Sequence, residues 1–229
     1  MIIRRMCVRG IAASLAIVGY PACAALAPFH AVYQANYMGV QAQGEMTLVA
    51  EQAKQWKYTF EIKNPLASIV QITRFKEESD QFTPIESDDT SAWLVKRRNI
   101  KAVYDWKSKQ AYWKGDIKSS RQGPVALQDG DMDGLLINLA LVRDVTANRP
   151  LNYRLVDDGR AKDMRYSIAG KETVTVEGKQ QEATKVVEKD NNKEIIAWVV
   201  PGVPVPVHLL QKVDGKDNLE LTLSTFHSP

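Results

Sequence analysis

Apolar and polar residues alternate over most of this chain, and this period of two constrains its fold more than any other feature. The clearest example is residues 56–63, WKYTFEIK, in which Trp56, Tyr58, Phe60 and Ile62 fall on one face and polar residues on the other. Such alternation is typical of a half-buried β-strand, because successive side chains of a strand point to opposite faces. The pattern therefore predicts a mainly β protein.

Similar runs recur along the chain, and turn residues separate them. The predicted strands are residues 29–37, 42–50, 56–63, 71–77, 92–97, 99–107, 110–114, 152–156, 164–169, 172–176, 183–189, 195–200 and the run around 219–223. Turn signals such as Asp157-Asp158-Gly159 and Asp214-Gly215 fall between strand-like runs, which is the spacing of consecutive antiparallel hairpins. Strands do not alternate with helices, so a parallel nucleotide-binding sheet is not expected.

Two segments break this pattern. Residues 64–70 predict one helical turn, and residues 133–145, DGLLINLALVRDV, predict a helix that is apolar on nearly every side. A helix that is hydrophobic all round must be buried. We therefore expect a single domain in which a strongly curved antiparallel sheet, a barrel or half-barrel, surrounds one buried apolar helix.

The residues just before this helix resemble the start of a calcium-binding loop. Asp129, Asp131 and Asp133 alternate and a glycine follows, but Ala140 occupies the position where such a loop requires a bidentate glutamate. A helix start explains the pattern better, because Asp133 can cap the first turn and Arg143 suits the last. We therefore expect no metal site here.

The beginning of the chain has the layout of an export signal. Three arginines precede the apolar run Ile11–Val18, and small residues then offer a cleavage site before Ala25. We expect a signal peptide over residues 1–24 and one β-rich domain over residues 25–229, in the periplasm of a Gram-negative bacterium. The apolar run is shorter than the roughly 20 residues that a membrane span needs, and no later segment reaches that length.

Removing the predicted signal changes the charge and the cysteine content. Three of the 30 basic residues lie in the signal, so the mature chain has 27 basic and 27 acidic residues and gives no reason to expect a nucleic-acid partner. Cys7 and Cys23 also lie in residues 1–24, which leaves no thiol, disulfide or cysteine metal ligand. Tyr20-Pro21 before Cys23 argues against a lipoprotein anchor.

One predicted hairpin combines basic and aromatic side chains. Lys96, Arg97, Arg98 and Lys101 form a basic tip close to aromatic residues. Such interleaving can bind anionic lipid headgroups or an envelope polysaccharide. A solvated hairpin tip explains the charges equally simply, and we favour that interpretation.

The sequence offers little that resembles a catalytic motif. His30, His208 and His227 are not spaced as a metal pair, and neither a nucleophile elbow nor a phosphate loop is present. We therefore expect no cofactor, and no enzyme is indicated.

The proline-rich segment VPGVPVPVHLL, residues 200–210, predicts a sheet edge or a loop over a barrel mouth. Its valines either pack in the core or form the rim of an apolar cavity.

The order of these features resembles the exported bacterial proteins of domain-of-unknown-function family 3108. The resemblance rests on five features of nearly the whole mature chain: the opening strand FHAVYQANYMGVQAQGEMTL, Asp105-Trp106 after the basic hairpin, Gly130 and Asp133 before the apolar helix, Gly170, Glu172 and Val174, and Trp198, Pro201, Pro206 and Val207. One departure is DMDGLL, where many members have Arg or Pro after the aspartate. The resemblance implies an envelope location and a β-rich fold, and it brings no catalytic residues.

These observations favour a periplasmic, non-enzymatic binding or accessory protein of the cell envelope. A concave apolar face with Trp56, Tyr58, Phe60, Tyr104 and Trp106 would hold a lipid or acyl chain, or serve a protein partner. The first alternative is an envelope-glycan hydrolase or lyase, which needs two converging carboxylates or a His–carboxylate pair. The second is a structural interaction module, which would expose an apolar patch without a pocket.

Overall fold

The computed structural model describes residues 26–52, 54–65, 67–93 and 96–228. The predicted signal peptide, residues 1–24, lies outside the described residues. No helix in the described part of the chain is long and apolar enough to cross a membrane.

The described residues form fifteen strands and one α-helix. The first eight strands are Phe29–Tyr37 (β1), Val40–Gln52 (β2), Gln55–Asn64 (β3), Ala67–Glu78 (β4), Gln81–Trp93 (β5), Lys96–Asp105 (β6), Gln110–Gly115 (β7) and Val125–Ala126 (β8). A short 3-10 helix, Ser119–Arg121, precedes β8, and the α-helix is Gly134–Thr146 (α1). The remaining strands are Asn152–Asp157 (β9), Arg160–Arg165 (β10), Ser167–Val176 (β11), Lys179–Asp190 (β12), Lys193–Val199 (β13), His208–Val213 (β14) and Lys216–His227 (β15).

Thirteen of these strands form one antiparallel sheet in the order β11-β12-β13-β14-β15-β1-β2-β3-β4-β5-β6-β7-β8. Strands β9 and β10 form a separate hairpin. The mainly β prediction with one helix is therefore confirmed. The expectation of a strongly curved sheet, closed as a barrel or half-barrel, is not met: β8 and β11 end the sheet order and do not pair with each other. Alternation within strands predicts which face is buried, but it carries no information about whether two distant edges meet.

The buried face of the sheet is the one that the alternation predicts. Tyr58 and Phe60 of β3 are 0% and 5% exposed, and they stand opposite Leu48 and Met46 of β2, which are also buried. Burial of such a side chain contributes about 2 kcal/mol. Packing across this face, with no cysteine in the described residues, holds the sheet together.

Helix α1 begins as the sequence predicts. Asp133 is its N-cap residue, and Asp133 Oδ1 accepts a 2.8 Å hydrogen bond from the Leu136 N–H. The helix is buried along most of its length and contacts β3, β4 and β5 as well as β13 and β9. The helix therefore packs against strands from two separated parts of the sheet order, while the β9–β10 hairpin covers it.

Three local predictions are wrong. Residues 67–70 belong to β4 and not to a helical turn, because Ala67 pairs with Trp93 and the ladder continues from there. Residues 92–97 are not one strand, since β5 ends at Trp93 and β6 begins at Lys96. Residues 164–169 are not one strand either, because β10 ends at Arg165 and β11 begins at Ser167. In all three places, pairing with a neighbouring strand outweighs the local sequence preference.

Candidate functional site

The five predicted aromatic residues do not line one concave face. Tyr58 and Phe60 lie in the main core, and the Tyr58 hydroxyl donates to Met46 Sδ at 3.2 Å. Trp56 is half-buried and packs at the edge of that core. Tyr104 and Trp106 belong to a different cluster, where the Tyr104 hydroxyl donates to the Val156 carbonyl at 3.0 Å. Of the five, Phe60 lines a cavity.

The basic tip lies at the start of β6, and its four side chains are exposed. Two of them are paired with acids of neighbouring segments. Arg98 donates to Asp158 at 2.9 Å, and Lys101 lies 2.7 Å from Asp88. These pairs offset part of the positive charge that the sequence suggested for an anionic partner.

The three aspartates of the calcium-like segment turn to three different partners. Asp133 caps α1, Asp131 accepts from Arg154 at 2.5 Å, and Asp129 lies 2.5 Å from Lys109. In the described ranges, no group of three or more His, Cys, Asp or Glu side chains is arranged to hold a metal ion. The geometry therefore fits a helix start.

A cavity of about 520 Å³, here called the polar cavity, lies at the N-terminal end of α1. Its walls come from the first two turns of α1, the β9–β10 hairpin and the inner face of the sheet. Phe60, Leu135, Ile137 and Leu221 supply an apolar wall. This volume falls within the usual range of small-molecule sites, about 300–1,000 Å³.

Three carboxyl groups line one region of the polar cavity. Asp89 comes from β5, Asp133 caps α1 and Asp157 ends β9. Burial, together with repulsion from the other two carboxylates, raises the pKa of Asp89 to about 8. Burial and the nearby Asp133 likewise raise the pKa of Asp157 to about 7. Groups that titrate so close to neutral pH in a cavity are typical of functional sites.

A second set of charges lines the polar cavity on β10, β12 and β13. Lys162 lies 3.5 Å from the buried Glu188 and 2.8 Å from Asp190. Arg160 and Lys193 also line the cavity. The cavity is thus bordered by cations of β10 and β13 in addition to its carboxyl groups.

A second cavity of about 370 Å³, here called the apolar pocket, lies at the C-terminal half of α1. Its lining is mostly apolar and includes Phe29, Phe82, Leu139, Val142 and Val203. The proline-rich segment contributes Val203 and Pro204, so part of it does line an apolar cavity.

Arg143 lines the apolar pocket together with Glu77 and Asp80, and the position of its guanidinium is fixed. Its guanidinium donates to Asp144 at 2.8 and 3.0 Å and to the Asp80 carbonyl at 2.6 Å. It also lies 4.7 Å from the centre of the Phe82 ring. Because these contacts use the guanidinium, an incoming anion would have to compete with Asp144.

Sequence reasoning did not identify Asp89, Asp157 or Arg143 as site residues. The sequence pattern places Asp157 in a turn and Arg143 in the last turn of the helix. A usable signal was the pair Asp88-Asp89, because aspartate is depleted in strands and two of them inside one strand are unusual.

Comparison with known proteins now identifies the family. The family model described as "Protein of unknown function (DUF3108)" matches residues 32–222. The chain belongs to this family. Among solved structures, the chain is similar to the "Crystal structure of MucB", with a TM-score of 0.34 and 7% identity over 88% of this chain and 53% of that chain. The chain thus spans about half the length of that structure. No curated protein sequence matches it.

Proposed function

We propose that this member of the family is a non-enzymatic binding protein of the cell envelope that holds an acyl chain in its apolar pocket. The observation that carries this proposal is the pocket itself. Its 370 Å³ are lined mainly by aromatic and aliphatic side chains, and α1, β1 and β5 all contribute to its walls.

The size of the pocket and its lining support an acyl ligand. Each buried methylene contributes about 0.8 kcal/mol, so a chain of about eight carbons gains roughly 6 kcal/mol before entropic costs. The Arg143 guanidinium already binds the Asp144 carboxylate and the Asp80 carbonyl, so it is not available to pair with a charged head group of the ligand. The ligand's polar end is therefore proposed to remain in solvent.

Direct titration of the pocket tests this proposal. We expect 11-(dansylamino)undecanoic acid to increase in fluorescence on binding, and Val203→Phe to weaken binding by about tenfold because it fills the pocket. Val103→Phe makes the same change on the exposed face of β6 and is the matched control. Equal affinity of both variants, with circular dichroism showing that both are folded, contradicts the proposal.

The periplasm is the proposed location, on the basis of the signal-like layout of residues 1–24. The expected mature protein begins at Ala25. Intact-mass measurement of protein recovered from the periplasm of an expressing Gram-negative cell checks this. A mass that still includes residues 1–24, or recovery in the cytoplasm alone, contradicts it.

The two alternatives fit the geometry less well. A structural module without a pocket does not account for two cavities of 370 and 520 Å³. A glycan hydrolase needs one carboxyl that stays protonated and one that stays ionised, with pKa values pushed apart. Here burial and neighbouring carboxylates raise the pKa values of both Asp89 and Asp157, to about 8 and about 7, which suits the general acid of such a pair but not its ionised partner.

A further inference from the structure

The polar cavity is separate from the proposed acyl site and breaks the pattern of its own strands. On β4 and β5, the residues that face the cavity are Gln71, Thr73, Ser87 and Asp89. Thr73 and Ser87 are buried, at positions where alternation would place apolar side chains. Polar residues on the buried face of a sheet cost stability, and such departures are expected where a site is needed.

More acidic than basic side chains line this cavity. Five carboxyl groups line it, from Asp89, Asp133, Asp157, Glu188 and Asp190, against three cations. One of those cations, Lys162, is already shared by Glu188 and Asp190. None of the three cations forms a salt bridge with Asp89, Asp133 or Asp157 among the described residues. Although Arg98 opposes the effect, burial and the neighbouring carboxylates raise the pKa values of Asp89 and Asp157, so without a cation these two groups tend to hold protons.

Two of these carboxyl groups, on Asp89 and Asp157, line the cavity next to its apolar wall. Asp157 Oδ1 accepts a hydrogen bond from the Asp158 N–H at 2.7 Å. Oδ2 faces the first turn of α1, where a Cβ atom built on Gly134 would lie 3.9 Å from it. The Asp89 side chain lines the same cavity, where burial and the neighbouring carboxylates raise its pKa. Both carboxyl groups are therefore placed to accept a hydrogen bond from a ligand in the cavity.

We propose that the polar cavity binds an organic cation, whose protonated amine is held by Asp89 and Asp157 and whose apolar body lies along Phe60 and Leu135. An amine relieves the repulsion between the carboxylates, which a neutral ligand would leave in place and an anion would increase. A metal ion fits less well, because no set of three or more ligands is suitably arranged among the described side chains. Binding ionises carboxyl groups that otherwise hold protons, so protons are released.

Calorimetric titration with three ligands of equal chain length tests this inference. We expect octylamine to bind on the order of tenfold more tightly than octanol, because a hydrogen bond to a charged group adds to the shared apolar contact. Octanoate should not compete with octylamine. Titrations at pH 6.5 in two buffers of different ionisation enthalpy should show proton release. Equal binding of octylamine and octanol, or binding without proton release, overturns the inference.

Isosteric variants localise the site. Asp89→Asn and Asp157→Asn should each weaken octylamine binding by about tenfold and leave octanol unaffected, because each removes one negative charge. Asp163→Asn on the exposed face of β10 is the matched control and should bind as the wild type does. Val203→Phe, which fills the other pocket, should also leave octylamine binding unchanged. Loss of octylamine binding in Val203→Phe, with none in Asp157→Asn, assigns the amine to the acyl site and overturns the inference.

Discussion

The Thr73 hydroxyl donates a 2.5 Å hydrogen bond to Asp133 Oδ2 and thereby ties β4 to the first turn of α1. The other carboxylate oxygen, Asp133 Oδ1, accepts from the Leu136 N–H. Both side chains are buried, at 2% and 3% exposure. A single carboxyl group thus caps the helix and fixes it to the sheet beside the polar cavity.

Replacing Thr73 with valine should destabilise the fold by about 1–3 kcal/mol, because a buried acceptor loses its donor while the side-chain shape is kept. Urea unfolding measures the change. Thr222→Val makes the same substitution at an exposed position of β15 and should cost less than about 0.5 kcal/mol. Similar losses for the two variants would show that the Thr73–Asp133 bond contributes little.

Stability should fall as pH rises through the range in which the cavity carboxyls ionise. The pKa values of Asp89 and Asp157 lie at about 8 and about 7 in the folded state, against an ordinary 3.8. The folded protein therefore binds more protons than the unfolded chain between about pH 4 and pH 8. Each such carboxyl lowers the free energy of unfolding by up to about 1.4 kcal/mol per pH unit in that window.

Asp89→Asn removes this dependence at one position. The variant should match or exceed the wild type in stability, and its advantage should grow from pH 5 to pH 9 to the order of a few kcal/mol. Denaturant unfolding at several pH values measures it. Asp163→Asn should follow the wild-type profile, because that side chain is exposed. Parallel profiles for Asp89→Asn and the wild type would mean that Asp89 ionises normally.

Arg154 should be needed mainly to compensate a buried charge. Asp131 is 1% exposed, Arg154 donates to its Oδ2 at 2.5 Å, and its Oδ1 has no partner in the described part of the chain. Arg154→Met should therefore cost about 3 kcal/mol.

Combining Arg154→Met with Asp131→Asn tests the cause of that loss. The double variant should recover a good part of it, because the uncompensated charge is gone. Arg165→Met, at an exposed site on β10, is the control in urea unfolding. A double variant no more stable than Arg154→Met alone would indicate that packing of the arginine side chain matters more than its charge.

Gly159 should tolerate no side chain, for a reason beyond its backbone angle. Its φ is +70°, and a Cβ atom there would lie 2.0 Å from the Arg121 carbonyl oxygen. Gly178 has a similar φ of +78° with nothing within 4 Å. Gly178→Ala should cost about 1 kcal/mol from backbone strain alone. Gly159→Ala should cost more, and thermal unfolding of both separates strain from collision.

Local periodicity was sufficient to predict most strands and the helix with its cap. Residues 29–37 were predicted as one strand, and β1 has the same bounds. The failures occur where a neighbouring strand decides the structure. The prolines before β14 predicted a sheet edge or a loop, and residues 200–207 form a loop between β13 and β14, whereas β14 itself lies between β13 and β15 within the sheet.

The candidate site was less predictable than the fold. Asp89, Asp133 and Asp157 come from β5, the helix cap and β9, and no short sequence motif contains them. Their common environment arises only when the β9–β10 hairpin covers the helix. Of the aromatic residues chosen from the sequence, Tyr58 and Tyr104 are buried in the core, Trp56 and Trp106 are partly buried, and Phe60 lines the polar cavity. The sequence could not separate these roles, because the same apolar periodicity describes a core and a ligand-binding wall.

The pairing of β1 with β15 has a consequence for the order of folding. His30 stands opposite His227, so the middle of the large sheet joins segments from far apart in the chain. Strand β15 also joins β14, and without it the strands from β11 to β14 have no link to β1. Loop closure over such a distance is slow. The sheet can therefore be completed only once β15 is available, and a chain without β15 would leave two separate sets of strands, β1 to β8 and β11 to β14.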